Sequence, residues 1–378
     1  MRASVSVDVT AAPRLGSPRL NRRAWLGAAL ALGSQVGGPR LAYAAPAIRL
    51  GLNENPFGPS PLAIQAIQSH LARLSSYTTA EADELVAAIA AREGVKPEQV
   101  VLGEVLEALG HLLAQRGGPG GEVLYSSPGY TALVDAAQSE RGVGVGVPLD
   151  AQLENDLEGL RKRAGARARA IFLVNPHNPS GTVSDPAALH AFVRAAARTA
   201  TVIVDEAYLE FTPDSAARTV APLVHPDGRV VVFRTFTKFY GLAALPLGYA
   251  LLPLALAAAL RELGLGAPRS LNRLALVAAR ASLEDVGYAE RVRRAVALER
   301  ARWFEVLDAL SVRYSRAVGN FVFFEARQPQ ARLAAGFLAR GIDIGRAFPP
   351  LDGWTRISIG LPEENTRAQS VLRELLAR

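Results

Sequence analysis

Short apolar runs of strand type recur along this chain and alternate with longer segments of helical period. Ala170–Val174, Thr201–Val204 and Val230–Phe233 are three such runs, and Glu122–Tyr125 is a fourth; Ala82–Arg92 and Pro186–Arg198 carry the helical pattern between them. From Tyr77 to about Leu260 this alternation predicts an α/β architecture, a mostly parallel sheet covered by helices on both faces. Pro253 and Gly264-Leu265-Gly266-Ala267-Pro268 punctuate the passage into a second region. There one long amphipathic helical stretch is expected from Asn272 to about Leu310, followed by strands at Asn320–Phe324 and Thr355–Ile359. The expected division is 1–44 as a leader, 45–74 as an arm that begins a smaller α+β domain, 75–262 as the large domain, and 263–378 as the rest of the small one.

The tails of three strands hold the chemistry. Ala170–Val174 runs into Asn175-Pro176-His177-Asn178-Pro179-Ser180-Gly181, a loop dense in turn formers; Thr201–Val204 runs into Asp205-Glu206-Ala207-Tyr208; Val230–Phe233 feeds Arg234-Thr235-Phe236-Thr237-Lys238. In an open α/β sheet, ligands bind outside the carboxyl ends of the strands, so an amide, a carboxylate with a phenol close behind, and a lysine are expected to converge. Lys238 stands out by composition as well. The chain has only three lysines, Lys96, Lys162 and Lys238, among 42 basic residues. Arginine cannot replace a lysine that must form an imine, because guanidinium does not give up its proton. Taken singly, Asp205 reads equally well as a helix cap, Asn178 as a turn residue, Tyr130 and Tyr208 as buried aromatics, and Arg356 as a surface ion-pair partner. Their combination and order carry the reading.

That combination resembles the fold-type I pyridoxal 5′-phosphate (PLP) aminotransferases, within them the histidinol-phosphate aminotransferase-like group, from Leu52-Asn53-Glu54-Asn55-Pro56-Phe57 through Thr355-Arg356-Ile357-Ser358-Ile359-Gly360. The resemblance implies the PLP-dependent transferase fold, PLP as cofactor, and a homodimer with its active sites at the interface. It implies that Lys238 binds the cofactor covalently and shuttles a proton, that Asp205 pairs with the pyridine nitrogen, and that Asn178 and Tyr208 bond the ring hydroxyl oxygen. Tyr130 would stack on the ring, Thr235 and Thr237 would donate to the phosphate, and Arg356 would clamp the substrate α-carboxylate in a two-pronged pair. Asn53 and Asn320 would also meet the substrate. Tyr77 would reach the partner subunit's cofactor phosphate. The implied activity is amino transfer between an α-amino acid or related amine and a 2-oxo acid. A PLP lyase or decarboxylase on the same scaffold is the alternative, and an exported binding protein that has lost its cofactor is a third reading.

The phosphate end departs from the family. A Gly-Ser-x loop at a helix N-terminus and an arginine eight positions after the lysine hold the phosphate there; here Glu104, Val105 and Leu106 stand at the loop and Pro246 at the arginine position. Arg269, in Pro268-Arg269-Ser270-Leu271-Asn272, is the candidate to compensate.

Charge alters the picture less than its total suggests. Of the formal +7, residues 1–44 supply +5 from six arginines and one aspartate, leaving +2 for the remainder. No basic stripe interleaved with aromatics is present, so nucleic acid is not an expected partner. The five histidines show no metal-ligand spacing, His177 reads as a loop residue, and there is no cysteine to form a disulfide framework. Asn21-Arg22-Arg23-Ala24-Trp25-Leu26-Gly27, an uncharged apolar stretch to about Val36, and Ala42-Tyr43-Ala44 resemble a twin-arginine export signal. Cleavage is expected after Ala44 and the location in the periplasm, with a cytoplasmic location the alternative if the start codon lies downstream. The uncharged segment Ala24–Pro39 is shorter than the roughly 18 apolar residues of a membrane span, so no stable span is expected.

Overall fold

The computed structural model describes residues 48–117 and 120–377. The leader with its paired arginines lies outside the described residues. The described residues form one compact unit. Its strands are β1 (Ile48–Leu50), β2 (Val100–Leu102), β3 (Glu122–Ser127), β4 (Val143–Pro148), β5 (Ala168–Val174), β6 (Thr201–Asp205), β7 (Val230–Thr235), β8 (Gly248–Leu251), β9 (Phe321–Glu325), β10 (Ile342–Ile344) and β11 (Trp354–Ser358).

Seven strands make the main sheet in the order β2-β8-β7-β6-β5-β3-β4. All pairings from β7 through β4 are parallel, and β8 alone runs against its two neighbours. Since β2 is antiparallel to β8, and β8 to β7, the carboxyl ends of β2, β7, β6, β5 and β3 all open on one edge. The central strands are apolar throughout because both faces are covered. Successive side chains point to opposite faces: Val202, Val204, Val230 and Val232 enter one core layer, while Ile203, Val231 and Phe233 enter the other.

The second region is built on β9 and β11, which pair antiparallel with Arg356 opposite Phe323. β1 pairs parallel with β10, Ile48 opposite Ile342. The amino-terminal arm is thereby fastened to the C-terminal region, and the residues that follow it, Gly51 to Asn55, run past the edge of the main sheet.

The single long helix expected from Asn272 to about Leu310 is two helices, Arg273–Glu284 and Val286–Ala309. Asp285 separates them with non-helical dihedrals (φ −85°, ψ 66°), and its side chain accepts from the Tyr288 N–H at 3.1 Å. A short acidic side chain that bonds the backbone competes with helix continuation and favours a cap. Elsewhere the expected elements are present to within a few residues, with Asp205 as the last residue of β6 and not the first of a loop. Among the described residues, no helix is long and apolar enough to cross a membrane.

Candidate active site

At the carboxyl edge of the main sheet lies a cavity of about 300 Å³. Lys238, Thr235 and Thr237 enter it from β7 and the turn beyond, Asp205 and Tyr208 from the end of β6 and the turn after it, Asn178 from the loop after β5, and Tyr130 from the loop after β3. Asn53 and Arg356 close it from the arm and from β11. Nine of the residues singled out in the sequence therefore line one space.

Lys238 is half-buried, and its Nζ donates to the Leu52 carbonyl at 3.0 Å. Asp205 is buried, and burial pushes its carboxyl up to about 7; the Ala207 N–H, donating to Oδ1 at 2.9 Å, and the Lys238 charge oppose that rise. Burial likewise pushes the Tyr130 phenol up to about 12, with Asp205 and Glu104 adding to the effect. Asn53 adopts a left-handed backbone (φ 54°), a region Asn tolerates better than most residues. There its Nδ2 donates to the Tyr208 hydroxyl at 3.0 Å, and its own N–H donates to Ser358 Oγ at 2.8 Å.

Arg356 lies between two aromatic rings, its guanidinium carbon 5.6 Å from the Phe321 centroid and 5.1 Å from that of Phe348. Nη1 donates to Asn178 Oδ1 at 2.6 Å and Nη2 to the Gly51 carbonyl at 2.7 Å. Nε is buried and has no hydrogen-bond partner among the described residues. Burial lowers the pKa of this guanidinium, an arrangement that favours an incoming anion.

Three expected residues stand elsewhere. Asn320 does not line the cavity; it is fully buried, and its Nδ2 donates to the carbonyls of Asn53 at 2.9 Å and Glu54 at 3.1 Å, so it braces the arm. Tyr77 is 76% exposed. Arg269 is also exposed and does not contribute to the lining of the cavity in its own chain. The two are neighbours: the Thr78 hydroxyl donates to the Pro268 carbonyl, and Arg273 Nη2 donates to the Tyr77 carbonyl at 2.6 Å. His177 is fully buried and held neutral, its pKa pushed down to about 3 by burial, with Nδ1 3.0 Å from Ser180 Oγ.

Two charged lining residues had no place in the expected ring and substrate set. Arg346 follows the three-residue strand β10, too short to be seen as a strand in the sequence, and its guanidinium carbon lies 4.6 Å from the Phe348 centroid. Glu104, known from the sequence only as a departure at the phosphate loop, opens onto the cavity from the turn between β2 and the helix Val105–Gly117.

The chain matches the family "Aminotransferase class I and II" over residues 45–371. It is 34% identical to the histidinol-phosphate aminotransferase of Lactiplantibacillus plantarum, over 87% of this chain and 92% of that one. It is also 34% identical to the aromatic amino acid aminotransferase of Cutibacterium acnes, with the same two coverages. The solved structure of histidinol-phosphate aminotransferase from Sinorhizobium meliloti in complex with pyridoxal 5′-phosphate superposes with a TM-score of 0.79 at 28% identity, covering 89% of this chain and 96% of that one.

The donor set fits the ring of such a cofactor. It needs a primary amine for its carbonyl carbon, an acid for its nitrogen, and partners for its hydroxyl; Lys238, Asp205, and Asn178 with Tyr208 supply them from one cavity. Burial is what holds the Asp205 proton up to about 7, and a pyridinium N–H facing the carboxyl would favour its ionised form.

Proposed function

Because this chain belongs to the aminotransferase class I and II family, we propose that the cavity at the carboxyl edge of its sheet moves an amino group between a ring-bearing amine with one anionic group and a 2-oxo acid. The activity is pyridoxal 5′-phosphate-dependent amino transfer. The observation that carries the residue assignment is the meeting of Lys238, Asp205 and Arg356 in one cavity.

When bound, the cofactor supplies a conjugated ring that accepts the electron pair left as the substrate Cα–H bond breaks. Lys238 would hold the cofactor covalently through Nζ, and its amine, once free of that link, would take up the substrate Cα proton as a general base and later return it as a general acid. The Leu52 carbonyl, 3.0 Å from Nζ, orients that amine. Asp205 keeps the ring nitrogen protonated. Tyr208, turned by Asn53, and Asn178 hold the ring hydroxyl oxygen, and Tyr130 covers the ring face. Arg356 binds the substrate anion, its unpartnered Nε being a buried donor in want of an acceptor. Arg346 is a second cation on the same side. A carboxylate or a phosphate ester fits this pair, and the names of the relatives, one a histidinol-phosphate and one an aromatic amino acid aminotransferase, support a ring beside the anion.

Homodimerisation and export belong to the same proposal: exposed Tyr77 and Arg269 would act on the partner subunit's cofactor, and residues 21–44 would direct the folded protein to the periplasm. The purified protein should show a visible absorbance band, borohydride should fix the label on Lys238, and a screen of amine donors should release oxo acid without CO2. Label on Lys96 or Lys162, or CO2 as the product, would overturn the assignment.

A further inference from the structure

Resting on the residue assignment above, the arrangement of the sheet edge extends to the cofactor's phosphate arm. On the pyridoxal ring the hydroxyl and the phosphate arm stand on opposite sides of the axis from ring nitrogen to carbonyl carbon. Asp205 and Lys238 mark the ends of that axis. The hydroxyl partners Asn178 and Tyr208 come from β5 and β6, which leaves the arm the side toward β7 and β2. That side carries Thr235, Thr237 and Glu104. Thr235 pairs with Gly248 of β8, and the Gly103 N–H donates to the Gly248 carbonyl at 2.9 Å, so Thr235 and the residue before Glu104 flank the same glycine.

Among the lining residues, the polar side chains there are few. Thr235 Oγ1 and Thr237 Oγ1 lie 2.8 Å apart and bond each other, and the Thr237 N–H donates to Thr235 Oγ1 at 3.1 Å. The cavity's two arginines, Arg346 and Arg356, come from the C-terminal region and flank Phe348. Among the lining residues, the cation nearest in sequence to this side is Lys238, whose amine is committed to the covalent link. A phosphate with two negative charges would thus meet a carboxylate.

We infer that Glu104 makes the cavity select against a doubly ionised cofactor phosphate, so that binding pyridoxal 5′-phosphate takes up a proton shared between the phosphate and the Glu104 carboxyl. The groups that face Glu104 agree in direction. Although Glu104 is solvent-exposed, desolvation at the cavity mouth raises its pKa, Glu107 on the following helix adds to the rise, and Lys238 beyond β7 opposes it. Asp205 on β6 and the Tyr130 phenol beyond β3 are each pushed up in part by Glu104. A free phosphate monoester loses its second proton near pH 6. The shared proton is therefore available at mildly acid pH and scarce at alkaline pH, and because the two groups are coupled its release belongs to the pair.

The test is binding and not turnover. Dissociation constants for pyridoxal 5′-phosphate and for unphosphorylated pyridoxal would be measured on the full chain and on Glu104→Gln and Glu104→Ser, at about pH 6 and about pH 8.5, to bracket that ionisation. The pH dependence of the Lys238 linkage is common to both ligands and cancels in their ratio. In the wild-type protein the preference for the phosphorylated form should fall about tenfold or more from the lower to the higher pH, equivalent to about 1.4 kcal/mol. In both variants the preference should be larger at the higher pH and nearly flat. Bound cofactor with the same ratio and the same pH dependence in all three proteins would overturn this inference alone. No binding of either ligand, with no visible band, would overturn it together with the residue assignment beneath it.

Discussion

Arg356 Nη1 donates to Asn178 Oδ1 across 2.6 Å, so the group proposed to bind the substrate anion and the group proposed to bind the cofactor ring are hydrogen-bonded to each other. The bond links β11 to the loop after β5, two parts of the chain 178 residues apart. The bond occupies Asn178 Oδ1 and leaves Nδ2, a donor, for the ring oxygen, so Arg356 would orient the amide that is proposed to hold the ring.

Replacing Arg356 by Lys keeps the charge and removes the fork. Bonds to charged groups contribute about 1.5 to 3 kcal/mol each, so losing one prong should lower kcat/KM by roughly ten- to a hundredfold, and Arg356→Gln should cost more. Most of the change should fall on KM. Steady-state kinetics with the preferred amine decide the matter; an unchanged KM in both variants would remove Arg356 from the substrate site.

A pH effect on stability comes from behind the site. Arg234, buried beneath the Lys238 turn, contacts Glu206 and Glu93 at 2.9 Å each and Glu210 at 3.8 Å. Burial pushes the Glu210 carboxyl up to about 7, with Arg234 opposing and Glu93 and Glu206 adding. The folded value lies above the unfolded one, so the folded state binds more protons, and stability is lost as pH rises from about 4.3 to about 7. Glu210→Gln removes this loss. The stabilities of the two proteins should nearly coincide near pH 4 and separate by about pH 8 with the variant the more stable, by up to about 3 kcal/mol. Parallel pH profiles would show that Glu210 is ionised in the folded protein throughout.

What the sequence made legible follows from where the chemistry sits. Val202 to Val204 and Val230 to Val232 are buried on both faces, so their strands appear as apolar runs, and Asp205 stands directly after the first while Lys238 closes the short polar tail that follows the second. Arg346 had no such signpost, because β10 is Ile-Asp-Ile with a single buried face. Nor could the role of Asn320 be read from its own position: it braces a left-handed turn at Asn53, 267 residues away, and only the folded chain brings the two together. Asp285 was legible in principle as a cap between two helices, but the unbroken amphipathic pattern on either side of it masked the break.

The proposed export rests on Arg22 and Arg23, the apolar stretch that follows, and Ala42-Tyr43-Ala44. Replacing both arginines by lysine keeps the charge, so a purely electrostatic role would survive and a specific twin-arginine role would not. The expected outcome is a full-length precursor retained in the cytoplasm with the variant, against a periplasmic wild-type protein whose amino terminus is Ala45. Equal periplasmic yields would rule out the twin-arginine route.

Tyr77 and Arg269 supply the last test, because both are exposed on the surface of their own chain, side by side and away from its cavity. If they complete the partner's site, a twofold dimer places each of them opposite the other subunit's Lys238. A mixed dimer of one Lys238→Ala chain and one chain carrying Tyr77→Ala with Arg269→Ala then has one site with both defects and one site with neither. Co-expression at equal levels should yield mixed dimers as about half of the population, each with one intact site of two, and so about a quarter of wild-type activity from two nearly inactive parents. If Tyr77 and Arg269 act within their own subunit, every site in the mixed dimer carries a defect and no activity returns. Recovery near a quarter, with an absorbance band restored in proportion, distinguishes shared sites from independent ones.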